Sequence, residues 1–170
     1  MISKNILLNS LDNMKIAYQI KEHEAIHTIK DSVKINGELS GVHTKNLFLK
    51  NKQKQFFLFS CHKNTNINLK KLSKKLCLGN LSFANSDYLL DLLGVFPGSV
   101  TPFGLLNDFK NEVSFYLDYN FFNYEKVNFH PLVNTSTLNL SLKDFMNLLA
   151  EYNKKVNIFD FNNYSLIEQL

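Results

Sequence analysis

The chain has 170 residues, 45% hydrophobic and 20% charged, with a net charge of +4. That is the size and balance of one soluble domain with a core of its own. It excludes a disordered chain, a disulfide-stapled miniprotein and a protein built around membrane spans. All the basic residues are lysines, so an anion must be met by an ammonium or by backbone N–H groups, never by an arginine fork.

Two cysteines, Cys61 and Cys77, stand too far apart for a CxxC pair and read as reduced thiols. The first twenty residues carry no apolar run or cleavage pattern of a signal peptide, so a cytoplasmic location is expected. No internal repeat or linker divides the chain, and residues 1–170 are read as one domain.

In chain order, residues 3–13 predict a short helix with Ile6, Leu7 and Leu11 on its inner face. A polar stretch follows, with an extended piece near Ile26–Ile29. KNLFLK, a polar turn and QFFLFSC predict a β-hairpin. Residues 68–77 predict an amphipathic helix with Leu69, Leu72 and Leu76 inward and Lys70, Lys71, Lys74 and Lys75 outward. LSFA (81–84) predicts a short strand, and a helix capped by Asn85 or Ser86 runs to Leu93, where Gly94 stops it. GVFPGSVTPFG (94–104) holds three of the six glycines and two of the three prolines and reads as a structured loop. VSFYLD and VNFHPL predict strands. Ser141 with Asp144 opens a helix over 141–153 as a loose capping box, and VNIFDF predicts a last strand. Helices and strands mix without βαβ alternation, so the fold class is α+β with a mixed, mostly antiparallel sheet.

Four segments can carry chemistry. Lys45 and Asn46 sit where a loop enters a strand, a rigid place to hold a ligand-binding group. The glycines of 93–108 allow backbone to approach a ligand, and successive N–H groups there can meet an anion. The segment has no GKS or GKT, and Ser99 lies in PGSVT rather than GxSxG, so neither a P-loop nor a nucleophile elbow is present. His130 precedes Pro131 and is held extended. His23 and His27 are spaced i, i+4 but lack the HExxH order, and no metal site is expected. A Ser99–His130–Asp108 triad has the residue types but no supporting spacing.

Together, HEAIHT (23–28), KNLFLK (45–50), LSFAN (81–85), LGVFPGSVTPFGLLND (93–108) and NFHPLVNTSTLNLS (128–141) resemble, in order, the YbaK/ProX family of prolyl-tRNA editing domains. The likeness is strongest to the branch that removes alanine from tRNA(Pro) in trans. The resemblance implies a mixed sheet curled into a partial barrel and flanked by helices, and hydrolysis of the ester between an amino acid and the terminal adenosine of tRNA. It maps the family's lysine and its neighbour onto Lys45 and Asn46, its GxxxP loop onto Gly98, Ser99, Val100, Thr101 and Pro102, and its pocket histidine onto His130. Lys45, Asn46, Gly98 and His130 are then the catalytic set, and Ser99 to Pro102 the substrate-binding set.

The implied partners are the acceptor end of an aminoacyl-tRNA and prolyl-tRNA synthetase, with no membrane and no cofactor. Lys70, Lys71, Lys74 and Lys75 form a candidate tRNA-docking face. The chain departs from the family in its KNKQKQ turn and in lacking arginines, which bears on RNA docking rather than on the pocket. Deacylation of cysteine, serine or threonine, and a non-catalytic tRNA- or synthetase-binding module, are the other readings.

Overall fold

The computed structural model describes residues 1–25 and 39–170. The extended piece predicted near Ile26–Ile29, and His27, lie outside the described residues. Helix α1 spans Lys4–Asn13 and is capped by Ser3. Leu7 and Leu11 are buried as predicted, but Ile6 is 47% exposed. It is one position ahead of Leu7, about 100° around the helix, and so turns off the buried stripe.

Strands β1 (Tyr18–Glu22), β2 (Val42–Lys50), β3 (Phe56–His62), β4 (Ser82–Phe83), β5 (Val113–Asp118), β6 (Lys126–Phe129), β7 (Ser136–Ser141), β8 (Val156–Asp160) and β9 (Ser165–Gln169) form one mixed sheet. Its order is β1-β7-β6-β2-β3-β5-β8-β9, with β4 also on β2. The β2–β6, β3–β5 and β5–β8 ladders are parallel and the others antiparallel. Among the described residues β1 and β9 end the strand order, and the sheet does not close into a barrel.

The middle strand β3 is buried from Phe56 to Cys61. That explains why QFFLFSC reads as a continuous apolar run: both of its faces are covered. On one face lies the larger core, in which the Phe145 ring meets Phe103, Phe115 and Phe129 at centroid distances of 5.8, 6.5 and 4.9 Å. Phe145 comes from α4 (Leu142–Glu151), whose cap is the predicted one: the Asp144 N–H donates to Ser141 Oγ at 2.9 Å, and that hydroxyl donates to the Asp144 carboxylate at 2.7 Å. On the other face a smaller core packs Leu49, Phe57, Phe59, Cys61, Tyr116, Phe159 and Phe161 under Leu72. Leu72 belongs to α2 (Leu69–Lys75), capped by Asn68, with all four predicted outward lysines exposed.

The helix predicted to end at Gly94 does so, but in two parts. One α-helical turn (α3, Ser86–Tyr88) widens into a π-helical turn, Leu89–Leu93, and Gly94 closes it at φ 66°. A Cβ on Gly94 would lie 2.5 Å from Asn107 Nδ2, so glycine is required there on two counts. The strand predicted over 127–132 stops at Phe129. Pro131 has no N–H to extend a ladder, and Leu132 N–H turns back onto the His130 carbonyl at 2.9 Å. His130 therefore sits on a tight turn beyond the strand end.

Candidate active site

β2 supplies Lys45 and Asn46. Lys45 is in register with Cys61, and Asn46 with Ser60. Side chains alternate along a strand, so the two residues leave on opposite faces of the sheet. Both ends of the Asn46 amide are engaged. Its Nδ2 donates to the Val100 carbonyl at 3.0 Å, and its Oδ1 accepts from the buried Ser60 hydroxyl. The first bond clasps the glycine-rich loop to the strand. Lys45 is half-buried, and its Nζ donates to the Thr65 carbonyl.

The side of β2 facing away from β3 is only partly paired. The β2–β6 ladder covers only Val42 and His43, and the β4 ladder begins at Leu49. Among the described residues, no strand pairs with that side of β2 between Thr44 and Leu47. Thr44 Oγ1 spans the opening to the Asn128 carbonyl at 2.8 Å. Lys45 and Asn46 flank this open stretch from opposite faces.

The loop is fixed at both ends and exposed at its tip. Asn107, buried, accepts from the Ile2 N–H and donates to the Leu93 carbonyl at 3.1 Å. Thr101, fully buried, caps the 3₁₀ turn Pro102–Asn107 by accepting from Phe103 N–H, and Gly104 packs against Leu93. The region read as loop up to residue 104 thus contains a helical turn, whose first residue, Pro102, needs no N–H partner. Gly98 lies exposed at φ 88° in the turn closed by Ser99 N–H on the Phe96 carbonyl at 3.0 Å. Among the described residues, the N–H groups of Gly98, Val100 and Thr101 have no acceptor.

His130 has a separate set of partners. Its Nδ1 contacts the Ser136 carbonyl at 2.9 Å. A carbonyl only accepts, so Nδ1 carries the proton and Nε2 of the neutral ring is left as an acceptor. Burial pushes its pKa below the ordinary histidine value. The Ser136 carbonyl opposes that shift, and the nearby His23 adds to it. His23, 6.1 Å away ring to ring, contacts Thr137 Oγ1 through Nε2 at 3.0 Å. The sequence marks His23 through an i, i+4 pairing with His27 and as the first residue of the HEAIHT segment, with no role assigned to it. Its role beside His130 is visible only once β1 and β7 are paired, at Glu22 and Ser136. Ser60, Thr65 and Thr44 were likewise not singled out, since a lone hydroxyl residue in a strand or the loop after it carries no spacing signal.

Asp108 takes no part in a triad. Its two carboxylate oxygens accept from Glu112 N–H at 2.9 Å and Val113 N–H at 2.8 Å, anchoring the start of β5. Cys61 is buried on the Lys45 face. Burial pushes its thiol up to about 12; the Lys45 charge opposes the rise and Asp118 adds to it. It is thus an inert core residue, whereas Cys77 is exposed. Among the described residues no three His, Cys, Asp or Glu side chains are grouped to hold a metal ion, and no helix is long and apolar enough to cross a membrane.

The model of the aminoacyl-tRNA editing domain matches residues 23–148. The chain belongs to the aminoacyl-tRNA editing family. The prolyl-tRNA editing protein ProX of Acetoanaerobium sticklandii is 38% identical over 145 residues, 85% of this chain and 88% of that protein. Prolyl-tRNA synthetase associated domain-containing protein 1 of Xenopus laevis is 37% identical over 150 residues, 85% and 89% of the two chains. A crystal structure of a candidate trans-editing enzyme for prolyl tRNA synthetase superposes with a TM-score of 0.69 at 21% identity, over 99% of this chain and 98% of that one, a likeness of fold. As a member of this editing family the chain is an aminoacyl-tRNA deacylase, a hydrolase of the ester that joins amino acid to tRNA.

Proposed function

We propose that the protein removes alanine from mischarged tRNA(Pro) in trans, with Lys45, Asn46, Gly98 and His130 as its catalytic residues and Ser99, Val100, Thr101 and Pro102 as the wall around the aminoacyl group. The observation that carries this reading is the Asn46–Val100 clasp at 3.0 Å, which holds the Gly98–Pro102 loop against the open stretch of β2 with backbone N–H groups to spare.

An aminoacyl ester is already activated, so the task is to place a water and stabilise the oxyanion of the tetrahedral intermediate. The N–H groups of Gly98, Val100 and Thr101 supply donors of the kind an oxyanion needs. The ribose hydroxyl next to the ester helps to activate the water. Lys45 offers positive charge to the ribose or the terminal phosphate. Neutral His130, with Nε2 as acceptor, shapes the pocket and accepts from a ligand hydroxyl or amine. No step calls for a metal, and adding a chelator is expected to leave the rate unchanged.

Selectivity follows from size. A synthetase site built for proline cannot fully reject alanine, since one methylene is worth only about 1–3 kcal/mol. A second, tighter pocket admits alanine and excludes the proline ring. The relatives' names point to prolyl-tRNA and its synthetase, which supports tRNA(Pro) as the carrier and the synthetase as a partner. The exposed Lys70, Lys71, Lys74 and Lys75 face of α2 offers charge to the RNA backbone.

The test incubates the protein with alanyl-, cysteinyl- and prolyl-tRNA(Pro), beside Lys45→Ala. Release of alanine alone, lost in the variant, is the expected result. Release of cysteine instead overturns the substrate, and binding without turnover overturns the chemistry.

A further inference from the structure

A surface of exposed rings meets the Lys45 end of the site. β5 ends at Asp118, and a 3₁₀ turn, Tyr119–Asn123, follows. Residues three apart on such a turn stand one above the other, and the Tyr119 and Phe122 rings lie 6.3 Å apart. Both are about half exposed, at 47% and 48%, and Tyr124 is 39% exposed. Phe121, between them, is fully buried and anchors the turn. The Tyr124 ring lies nearly parallel to that of His62, with centroids 6.5 Å apart and planes 27° apart.

The display is built rather than incidental. Asp118 is a fully buried carboxylate. Its Oδ1 accepts from the Asn120 N–H at 3.0 Å and from Asn120 Nδ2 at 2.9 Å, and its Oδ2 accepts from the His62 N–H at 3.3 Å. One buried charge thus fixes both the turn that carries Tyr119 and Phe122 and the strand end that carries His62. The same strand end reaches the catalytic lysine. The Thr65 N–H donates to the His62 carbonyl at 2.9 Å, and the Thr65 carbonyl accepts from Lys45 Nζ. Half-buried Lys63 and Lys126 adjoin the rings in sequence, against one exposed carboxylate, Glu125.

Half-exposed rings interleaved with lysines suit unpaired nucleotides: bases stack on the rings, and ammonium groups track the phosphates. We propose that Tyr119, Phe122 and Tyr124, with His62, form the platform on which the unpaired 3′ nucleotides of the tRNA acceptor end stack as the esterified terminal adenosine reaches Lys45. The proposal rests on the editing reading and adds where the strand leading to the ester lies. A paired acceptor stem does not fit these rings, because its bases have no free faces.

The test measures binding of uncharged tRNA(Pro), intact and lacking its last three nucleotides, by the wild type, Tyr119→Ala/Phe122→Ala, Tyr124→Ala, and Tyr119→Phe with Tyr124→Phe. The alanine variants are expected to bind intact tRNA about tenfold more weakly or worse and truncated tRNA as the wild type does. The phenylalanine variant keeps a stacking ring at each tyrosine position and binds intact tRNA normally. Unchanged thermal unfolding of the variants accompanies these results. Equal binding of intact tRNA by wild type and alanine variants overturns the platform. So does an equal loss for intact and truncated tRNA, which would assign the patch to the paired stem.

Hydrolysis of 3′-alanyl-adenosine, which lacks the preceding nucleotides, separates the two readings. The alanine variants are expected to cleave it at the wild-type rate. If the wild type cleaves neither it nor alanyl-tRNA, the editing reading fails while the binding comparison still decides the platform.

Discussion

Asn46 and Lys45 are neighbours on β2, yet the protein holds them by different means. Asn46 is short and locked, with one hydrogen bond to the scaffold at Ser60 and one to the loop at Val100. Lys45 is long and tethered by a single carbonyl at Thr65, over the smaller aromatic core. The first arrangement sets the shape of a pocket before any ligand arrives. The second keeps a charge on a stem that can re-aim. On one strand, then, a residue held at both ends of its side chain adjoins one held by a single bond, and the proposed function gives the first to the pocket wall and the second to the polyanion.

Substitutions put this contrast to the test. Phe145→Ala strikes the larger core behind the loop and should cost about 3–5 kcal/mol in denaturant unfolding, whereas the contrast predicts no comparable loss from any change at Lys45. Lys45→Ala should lower kcat/KM for aminoacyl-tRNA roughly 10²–10³-fold, about 2.7–4 kcal/mol, if its charge acts as an oxyanion donor does. The unfolding midpoint should not move. A large stability loss in that variant would mean that Lys45 is scaffold too. Asn107→Ala removes the tie between Ile2, Leu93 and the loop. It should cost about 1–3 kcal/mol, because buried backbone groups lose their partner, and deacylation should fall with it.

A gentler probe is pH. In the folded protein the His130 pKa is below the histidine value of 6.5, with burial as the main cause. The unfolded chain therefore binds this proton more readily, and stability is fully present above pH 6.5 and declines as pH falls below it. Urea melts of the wild type and His130→Gln across that range should show a shallower decline in the variant. The smallest effect belongs to α2. Removing Lys70 and Lys74 together should flatten the slope of log binding constant against log salt by about 0.9 per lost phosphate contact. An unchanged slope would return that helix face to plain solvent.

Much of this was legible in the sequence where local signals are strong. The hairpin, α2, α4 and its cap, and β5 follow directly from period and capping residues. Gly94 marked its helix end correctly, although not the π-helical turn before it, which no spacing announces. Other helix ends close on Lys15, Cys77 and Asn153, all at positive φ near 55°, where the usual glycine signal is missing. β1, β7 and β9 escaped prediction because polar edge and connecting strands such as STLNLS owe their state to partners far along the chain. The site divides in the same way. Lys45, Asn46, the glycine-rich loop and His130 were recognisable as family segments, and the clasp between Asn46 and Val100 joins two of them. That Lys45 and Asn46 face opposite ways was implicit in the strand's period of two. The open stretch that lets both matter depends on where the β6 and β4 ladders end, which is a tertiary fact.

That open stretch works as a gauge. An unpaired strand edge ordinarily invites another strand, and with it aggregation. Here, among the described residues, the unpaired row runs only from Thr44 to Leu47, about 13 Å at the usual rise per residue, and is hemmed in by β6 at one end and β4 at the other. A strand long enough to pair stably would collide with the neighbours before its ladder could form. A slender chain of single nucleotides needs no such length, so under the proposed reading the same gap would take the acceptor end and turn other polypeptides away.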